Sequence, residues 1–244
     1  MFDKSISLVM PVCNEESILE KNIGILLDYV EKLSNNYEVV FVENGSSDST
    51  LEVLKNISKK NPKIRFFTTP ERDLGIALDK GFREAKNEIL IWYPIDLSFD
   101  FSFFDESLRL IEGYDLVVGS KEMDGATQVR PPIRLFLSKC YHLLIRALFR
   151  LGYTDTQSVK TFKRSSLKKI LDETKSRGIV FEVELLFNAL YYHLKVKEIP
   201  VDVRDMRESS SINYIVILKA FLALFVLKAR LVLRGWGEIL QRYM

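Results

Sequence analysis

The sequence predicts an α/β fold, a mostly parallel sheet flanked by helices, and three observations carry that prediction. Short apolar runs alternate with helix-period segments from Ile6 to Ser120, each run stops in a polar cluster, and 244 residues suffice for one substantial core. Hydrophobic residues make up 47% and charged residues 28%, which excludes a disordered chain. A net charge of +2 does not call for nucleic acid, although basic residues gather in the apolar second half. The two cysteines, Cys13 and Cys140, suit neither a disulfide framework nor a metal site, and a reducing, cytoplasmic setting is expected. The opening Met-Phe-Asp-Lys has no signal-peptide pattern.

Taken in order, Ile6 to Val12 reads as a buried strand that ends at Cys13-Asn14-Glu15-Glu16. The apolar positions Ile18, Ile23, Leu26, Leu27, Val30 and Leu33 then recur at helical spacing. Tyr37 to Val42 is the second strand. Gly45 permits the turn that follows, and Ser46, Ser47 or Asp48 caps a helix carrying Leu51, Val53, Leu54 and Ile57. Ile64 to Thr68 is a third strand and Gly75 to Ala85 a helix. Glu88 to Tyr93 is a fourth strand, ending abruptly at Pro94-Ile95-Asp96. Asp96 suits two roles, a carboxylate at a ligand-binding strand edge or a cap on the helix from Phe101 to Ile111. Asp115 to Ser120 closes the series. Right-handed crossovers would bring the polar clusters at Asn14/Glu15, Glu43/Asn44 and Asp96 to one edge, a binding crevice by default. No glycine-rich phosphate loop of the dinucleotide or P-loop type occurs.

The ordered pieces Pro11 to Glu16, Val42 to Thr50, Gly75 to Gly81 and Asp96-Leu97-Ser98 resemble the signatures of family-2 glycosyltransferases. More narrowly, the chain is similar to dolichyl- or polyprenyl-phosphate sugar synthases. The likeness continues through Val118 to Lys121, Arg134, Asp155 to Ser158, Phe181 to Leu186, Glu198 to Val201 and Arg207 to Ile212. It implies a nucleotide-diphosphosugar transferase fold over residues 1–212 and hexose transfer from a UDP-, GDP- or dTDP-sugar to a lipid phosphate. It further implies that Pro11, Val12, Cys13, Asn14, Glu15, Glu43, Gly45, Ser46, Lys80, Asp96 and Lys121 bind the donor. Asp96, Arg134 and Arg207 are the expected catalytic residues, with Gln157 and Glu182 on the acceptor side.

Two departures from the family pattern stand out. Glu43-Asn44 keeps one of two usual acids, and Pro94 replaces the first acid of the usual Asp-x-Asp. Mg²⁺ or Mn²⁺ would therefore rest weakly on Asp96 and on donor oxygens, or the enzyme would work without metal, with Arg134, Arg207 and Lys121 sharing the neutralisation of diphosphate. A lipid phosphate is already anionic near neutral pH, so inversion without a protein base is expected. The alternatives are a sugar-nucleotide-binding homologue without turnover, acting as a subunit or scaffold, and a nucleotidyltransferase of related fold.

The helix from Arg134 to Arg150 places Lys139, His142, Arg146 and Arg150 along one face, which suggests a membrane surface. Residues 213–244 are apolar but interrupted by Lys219, Lys228 and Arg230, too often for a span of about 20 apolar residues. One or two interfacial amphipathic helices are expected there, with Trp236 near headgroups and Lys219, Arg230 and Arg234 sharing a side. A buried dimer helix is the rival. The expected setting is peripheral, at the cytoplasmic membrane face, with a homo-oligomer or an integral-membrane partner as further options.

Overall fold

The computed structural model of the chain describes residues 2–129, 132–204 and 214–243, with backbone alone at 134, 214–217 and 235–243. The predicted alternation is present: β1 (Ile6–Val12), α1 (Glu16–Leu33), β2 (Tyr37–Asn44), α2 (Thr50–Lys60), β3 (Ile64–Thr69), α3 (Leu74–Glu84), β4 (Ile89–Trp92), α4 (Ser102–Leu110) and β5 (Leu116–Ser120). The second half adds β6 (Gln128–Val129), α5 (Pro132–Phe149), β7 (Lys160–Lys163), α6 (Arg164–Leu171), α7 (Val180–Tyr191), β8 (Val196–Pro200), β9 (Val203–Arg204) and α8 (Tyr214–Tyr243).

The main sheet runs β3-β2-β1-β4-β7-β5-β8, and β6 pairs with β9 apart from it. All its pairings are parallel except those of β7, which lies antiparallel between β4 and β5. That one reversal matters for the site. The residues entering β7 lie at the edge where the parallel strands end, so Asp155 to Ser158 join the loops that follow β1, β4 and β5.

β1 and β2 are buried almost throughout because helices cover both sheet faces. Leu8, Met10, Val39 and Phe41 pack with α1, α2 and α4 on one face, whereas Val9, Leu90, Val118 and Phe162 pack with α3, α6 and α7 on the other. Close approach of α3 to the sheet requires a missing side chain: a Cβ at Gly81 would collide with Val9. A third cluster joins α5, α7 and α8 through Tyr141, Ile145, Phe149, Val180, Leu224 and Leu227. The C-terminal helix is thus packed onto the sheet-bearing body.

Candidate active site

The loops after β1 and β2 are stitched together by short polar side chains. Asn14 takes a left-handed backbone, φ 56°, which asparagine tolerates better than most residues. Its N–H donates to Ser46 Oγ at 3.0 Å, and its Oδ1 accepts from Ser47 N at 2.8 Å. Glu15 N donates to Thr50 Oγ1 at 2.8 Å. Buried Glu43 accepts from Ser46 N at 2.5 Å, closing the turn at Gly45, φ 70°. The residue at the cap of α2 is Ser49, which makes no side-chain cap bond; the Asp48 side chain before it accepts from Thr50 N at 3.0 Å. Asn14, Glu43 and Ser46 therefore give shape to this edge through bonds to the loops themselves.

A cavity of about 790 Å³ opens beside these loops. Four predicted donor residues line it, Pro11, Val12, Cys13 and Glu15, together with Asn44, which the motif contained but the site assignment omitted. Arg72, Asp73, Arg177 and Lys219 also line it and were not anticipated. A signal for the first two existed, a charged loop at the end of the third strand; Arg177 and Lys219 lie far away in sequence and had none. Asn44 Oδ1 accepts from Asp73 N at 2.7 Å, and Asp73 Oδ1 accepts from both Ile76 N, capping α3, and Gly178 N. Burial pushes the Cys13 thiol up, while the charge of Arg72 opposes it. A second cavity, about 800 Å³, is lined by Ser5, Lys86 and Arg164 at the opposite, amino-terminal edge, where ligands of such sheets do not bind.

Asp96 follows β4 next to this edge, because β4 pairs with β1 in parallel register, Val9 opposite Trp92. Its Oδ1 accepts from Ser98 N at 3.1 Å across Leu97, which adopts φ 52°. Asp100 Oδ1, not Asp96, accepts from Ser102 N at the start of α4. The helix-cap reading of Asp96 is thereby removed. Among the described residues no three His, Cys, Asp or Glu side chains form a metal-holding group. The donor set still suits a hard divalent cation in one respect: Asp96 offers a single carboxylate, and diphosphate oxygens and water are the usual complement.

Several of the residues singled out in the sequence are held by partners within the protein. Lys80 lies in the second half of α3, its Nζ 2.8 Å from Glu84 Oε1; Glu84 also faces Arg65 near the start of β3, so this lysine belongs to the far edge. Lys121 is buried, with Nζ 2.6 Å from Asp155 Oδ2. Glu182 is buried against Lys160, with Trp92 Nε1 donating to it at 3.2 Å. Burial raises the Glu182 carboxyl above the usual range, and Lys160 opposes that rise. His142 was placed on the basic face of α5; it turns inward instead, Nε2 3.3 Å from Asp155 Oδ1. Burial works against ionisation of Asp155, but Lys121 and His142 outweigh it and hold the carboxyl well below the ordinary range.

Around this carboxylate, His142 Nδ1, Thr156 Oγ1, Gln157 Nε2 and Ser158 Oγ are buried without a hydrogen-bond partner among the described residues. Buried polar atoms left unpaired are costly and mark places where a ligand or water completes the bonding. Gln157 thus lies in a cluster of ligand-hungry groups. The side chain of Arg134 is not among those described, and Arg207 lies outside the described residues.

A family model described as Glycosyl transferase family 2 matches residues 7–171. The chain belongs to that family. Glycosyltransferase AglD of Haloferax volcanii is 27% identical over 203 residues, which cover 81% of this chain and 32% of AglD. Dolichyl-phosphate beta-glucosyltransferase ALG5A of Trichomonas vaginalis is 30% identical over 214 residues, 82% of this chain and 66% of the relative. The chain therefore spans about a third of the first and just under two thirds of the second. In fold it is similar to glucosyl-3-phosphoglycerate synthase from Mycobacterium tuberculosis in complex with Mn²⁺, UDP-glucose and phosphoglyceric acid. That likeness has a TM-score of 0.68 at 17% identity, covering 92% of this chain and 79% of that one.

This family-2 chain also carries an unusual outer surface. On α8 the residues pointing away from the body are Leu218, Leu222, Phe225, Val226, Val232 and Leu233, with Val226 70% and Leu233 71% exposed. At 100° per residue they occupy roughly a third of the helix circumference, and Lys219 and Lys228 flank that strip on either side. The expected basic side is instead turned inward in part: Arg230 reaches Glu184 at 2.7 Å and Arg234 reaches Glu173 at 3.4 Å. Phe136, Leu143 and Lys139 of α5, which packs against α8, are also exposed. Among the described residues no helix is long and apolar enough to cross a membrane.

Proposed function

We propose that this chain transfers a hexosyl group from a nucleoside diphosphate sugar to a polyprenyl or dolichyl phosphate, with inversion, while seated on a membrane surface. The observation that carries the reading is the cavity shared by Pro11, Val12, Cys13, Glu15, Asn44 and Arg72 at the edge where β1 and β2 end, with Asp96 following β4 alongside. Relatives named for dolichyl-phosphate glucosyl transfer, at 28 and 30% identity, support the acceptor class.

In this reading Pro11 to Glu15 and Asn44 cradle the nucleoside, and the amide and carboxylate groups meet ribose hydroxyls or base edges. Arg72, with Arg134 and Arg207 as further candidates, answers the charge of the diphosphate. A divalent cation held by Asp96, when bound, would add neutralisation of the leaving group. The acceptor phosphate oxygen forms the new bond to the anomeric carbon as the bond to the donor diphosphate breaks, so the electron pair departs with the nucleoside diphosphate. No protein base is required because the nucleophile is already an anion. The chain's contribution is alignment and charge stabilisation, and the unpaired groups at Thr156, Gln157 and Ser158 support an acceptor-side pocket.

Incubation with radiolabelled UDP-glucose, UDP- or GDP-hexoses and polyprenyl phosphate should give an organic-soluble labelled product and release nucleoside diphosphate. Pyrophosphate release would instead indicate nucleotidyl transfer. The replacement of an acid by Pro94 favours a second reading, a donor-binding subunit without turnover. Calorimetric donor binding with no transfer to any lipid phosphate would select it.

A further inference from the structure

Helix α8 takes part in two surfaces at once. Its inward side supplies Lys219, Ala220 and Ala223 to the wall of the cavity that Pro11, Cys13 and Arg72 line opposite. Farther along the same side, Arg230 Nη2 donates to Ser176 Oγ at 2.8 Å and to Glu184 Oε2 at 2.7 Å. That carboxylate also accepts from the N–H groups of Lys175 and Ser176, at 2.8 and 2.6 Å. The loop so fastened continues directly into Arg177, Gly178 and Ile179, which form another part of the cavity wall. Gly178 N is in turn held by Asp73, so the loop bridges α8 and the start of α3. The cavity is complete only while α8 is docked.

The opposite side of α8 is the exposed apolar strip bordered by Lys219 and Lys228. An apolar strip with Lys228 on the border away from the cavity matches a bilayer containing anionic lipid: the side chains enter the acyl boundary and the Lys228 ammonium reaches phosphate headgroups, while Lys219, on the other border, is turned to the cavity. The exposed Lys139 and Arg146 of α5, which packs against α8, and Arg150 just after it add positive charge.

We infer that α8 is a shared wall, with Lys219 as a donor-phosphate contact, and that nucleotide and anionic lipid bind its two sides and strengthen each other. The inference rests on the membrane-seated reading above. Ligands that both favour the docked arrangement of one element must be reciprocally coupled, and coupling of this kind is typically 5- to 150-fold.

The test measures UDP and GDP affinity of the full chain by calorimetry, with and without phosphatidylcholine/phosphatidylglycerol vesicles, alongside vesicle flotation. Vesicles should tighten nucleotide binding by about fivefold or more, and saturating nucleotide should raise vesicle partition by the same factor. Replacing Phe225→Ser and Val226→Ser should remove the vesicle effect while leaving affinity in solution unchanged. Lys219→Gln should weaken nucleotide binding in solution and on vesicles alike. Flotation with unchanged nucleotide affinity would overturn the coupling and leave the membrane reading standing. Failure to float would overturn both, and absence of nucleotide binding under every condition would overturn the donor site itself.

Discussion

Lys160 Nζ and the carboxylate of Glu182 form an ion pair sealed inside the protein, joined by Trp92 Nε1, so that β4, β7 and α7 meet at one charged contact. Removing one partner of a buried pair strands the other, at a cost of roughly 3–5 kcal/mol, whereas replacing both by apolar groups is often neutral. Lys160→Met should therefore lower unfolding stability by about that amount, and Lys160→Met combined with Glu182→Leu should recover most of it. Urea denaturation of the three variants and the parent measures this, and equal loss in single and double variants would refute it.

Asp155 gives the protein a specific acid sensitivity. Its folded-state carboxyl is held below the ordinary value, near 3.9 in an unfolded chain, by Lys121 and His142 in excess of the burial cost. As pH falls through that window the unfolded chain binds the proton first, so the stabilisation is full above about pH 5 and is progressively lost below it. The melting temperature should drop more steeply between about pH 5 and pH 3 for the parent than for Asp155→Asn. Parallel slopes would show that Asp155 is not responsible.

Asp96 bears the prediction for catalysis. If its carboxylate steadies the donor diphosphate, directly or through a cation, Asp96→Ala should reduce kcat/KM by roughly a hundredfold, the scale on which one charge-stabilising group acts. Addition of Mn²⁺ after chelation should restore transfer in the parent and not in Asp96→Ala. Undiminished transfer by Asp96→Ala would remove the residue from the mechanism.

Gly75 is a packing requirement. A Cβ at this position would lie 2.7 Å from Phe181 Cβ and 2.9 Å from Gly178 N, backbone that cannot swing aside. Overpacking of this kind costs about 1–3 kcal/mol. Gly75→Ala should lower stability by that amount and, because Gly178 lines the donor cavity, also weaken nucleotide binding. Gly24→Ala, where no atom approaches within 4 Å, is the control and should stabilise α1 slightly.

The chain by itself determined the alternation of β1 to β5 with their helices, because apolar periodicity and turn residues are local consequences of burial and backbone geometry. It also determined that Pro11 to Glu15, Glu43 to Ser46 and Asp96 share an edge, since parallel strands carry their following loops to one side. Tertiary structure alone decided which charges stay available there. Lys121 and Glu182, site candidates by motif, pair with Asp155 and Lys160, and His142, expected on an outer basic face, turns inward to Asp155, all partners distant in sequence. Arg72 and Lys219, unremarkable as letters, line the cavity, as does Arg177, which is paired with Glu71. The reason is that an ion's role follows from which opposite charge reaches it first, and that depends on how β7 reverses and where α8 docks, contacts that no local pattern encodes.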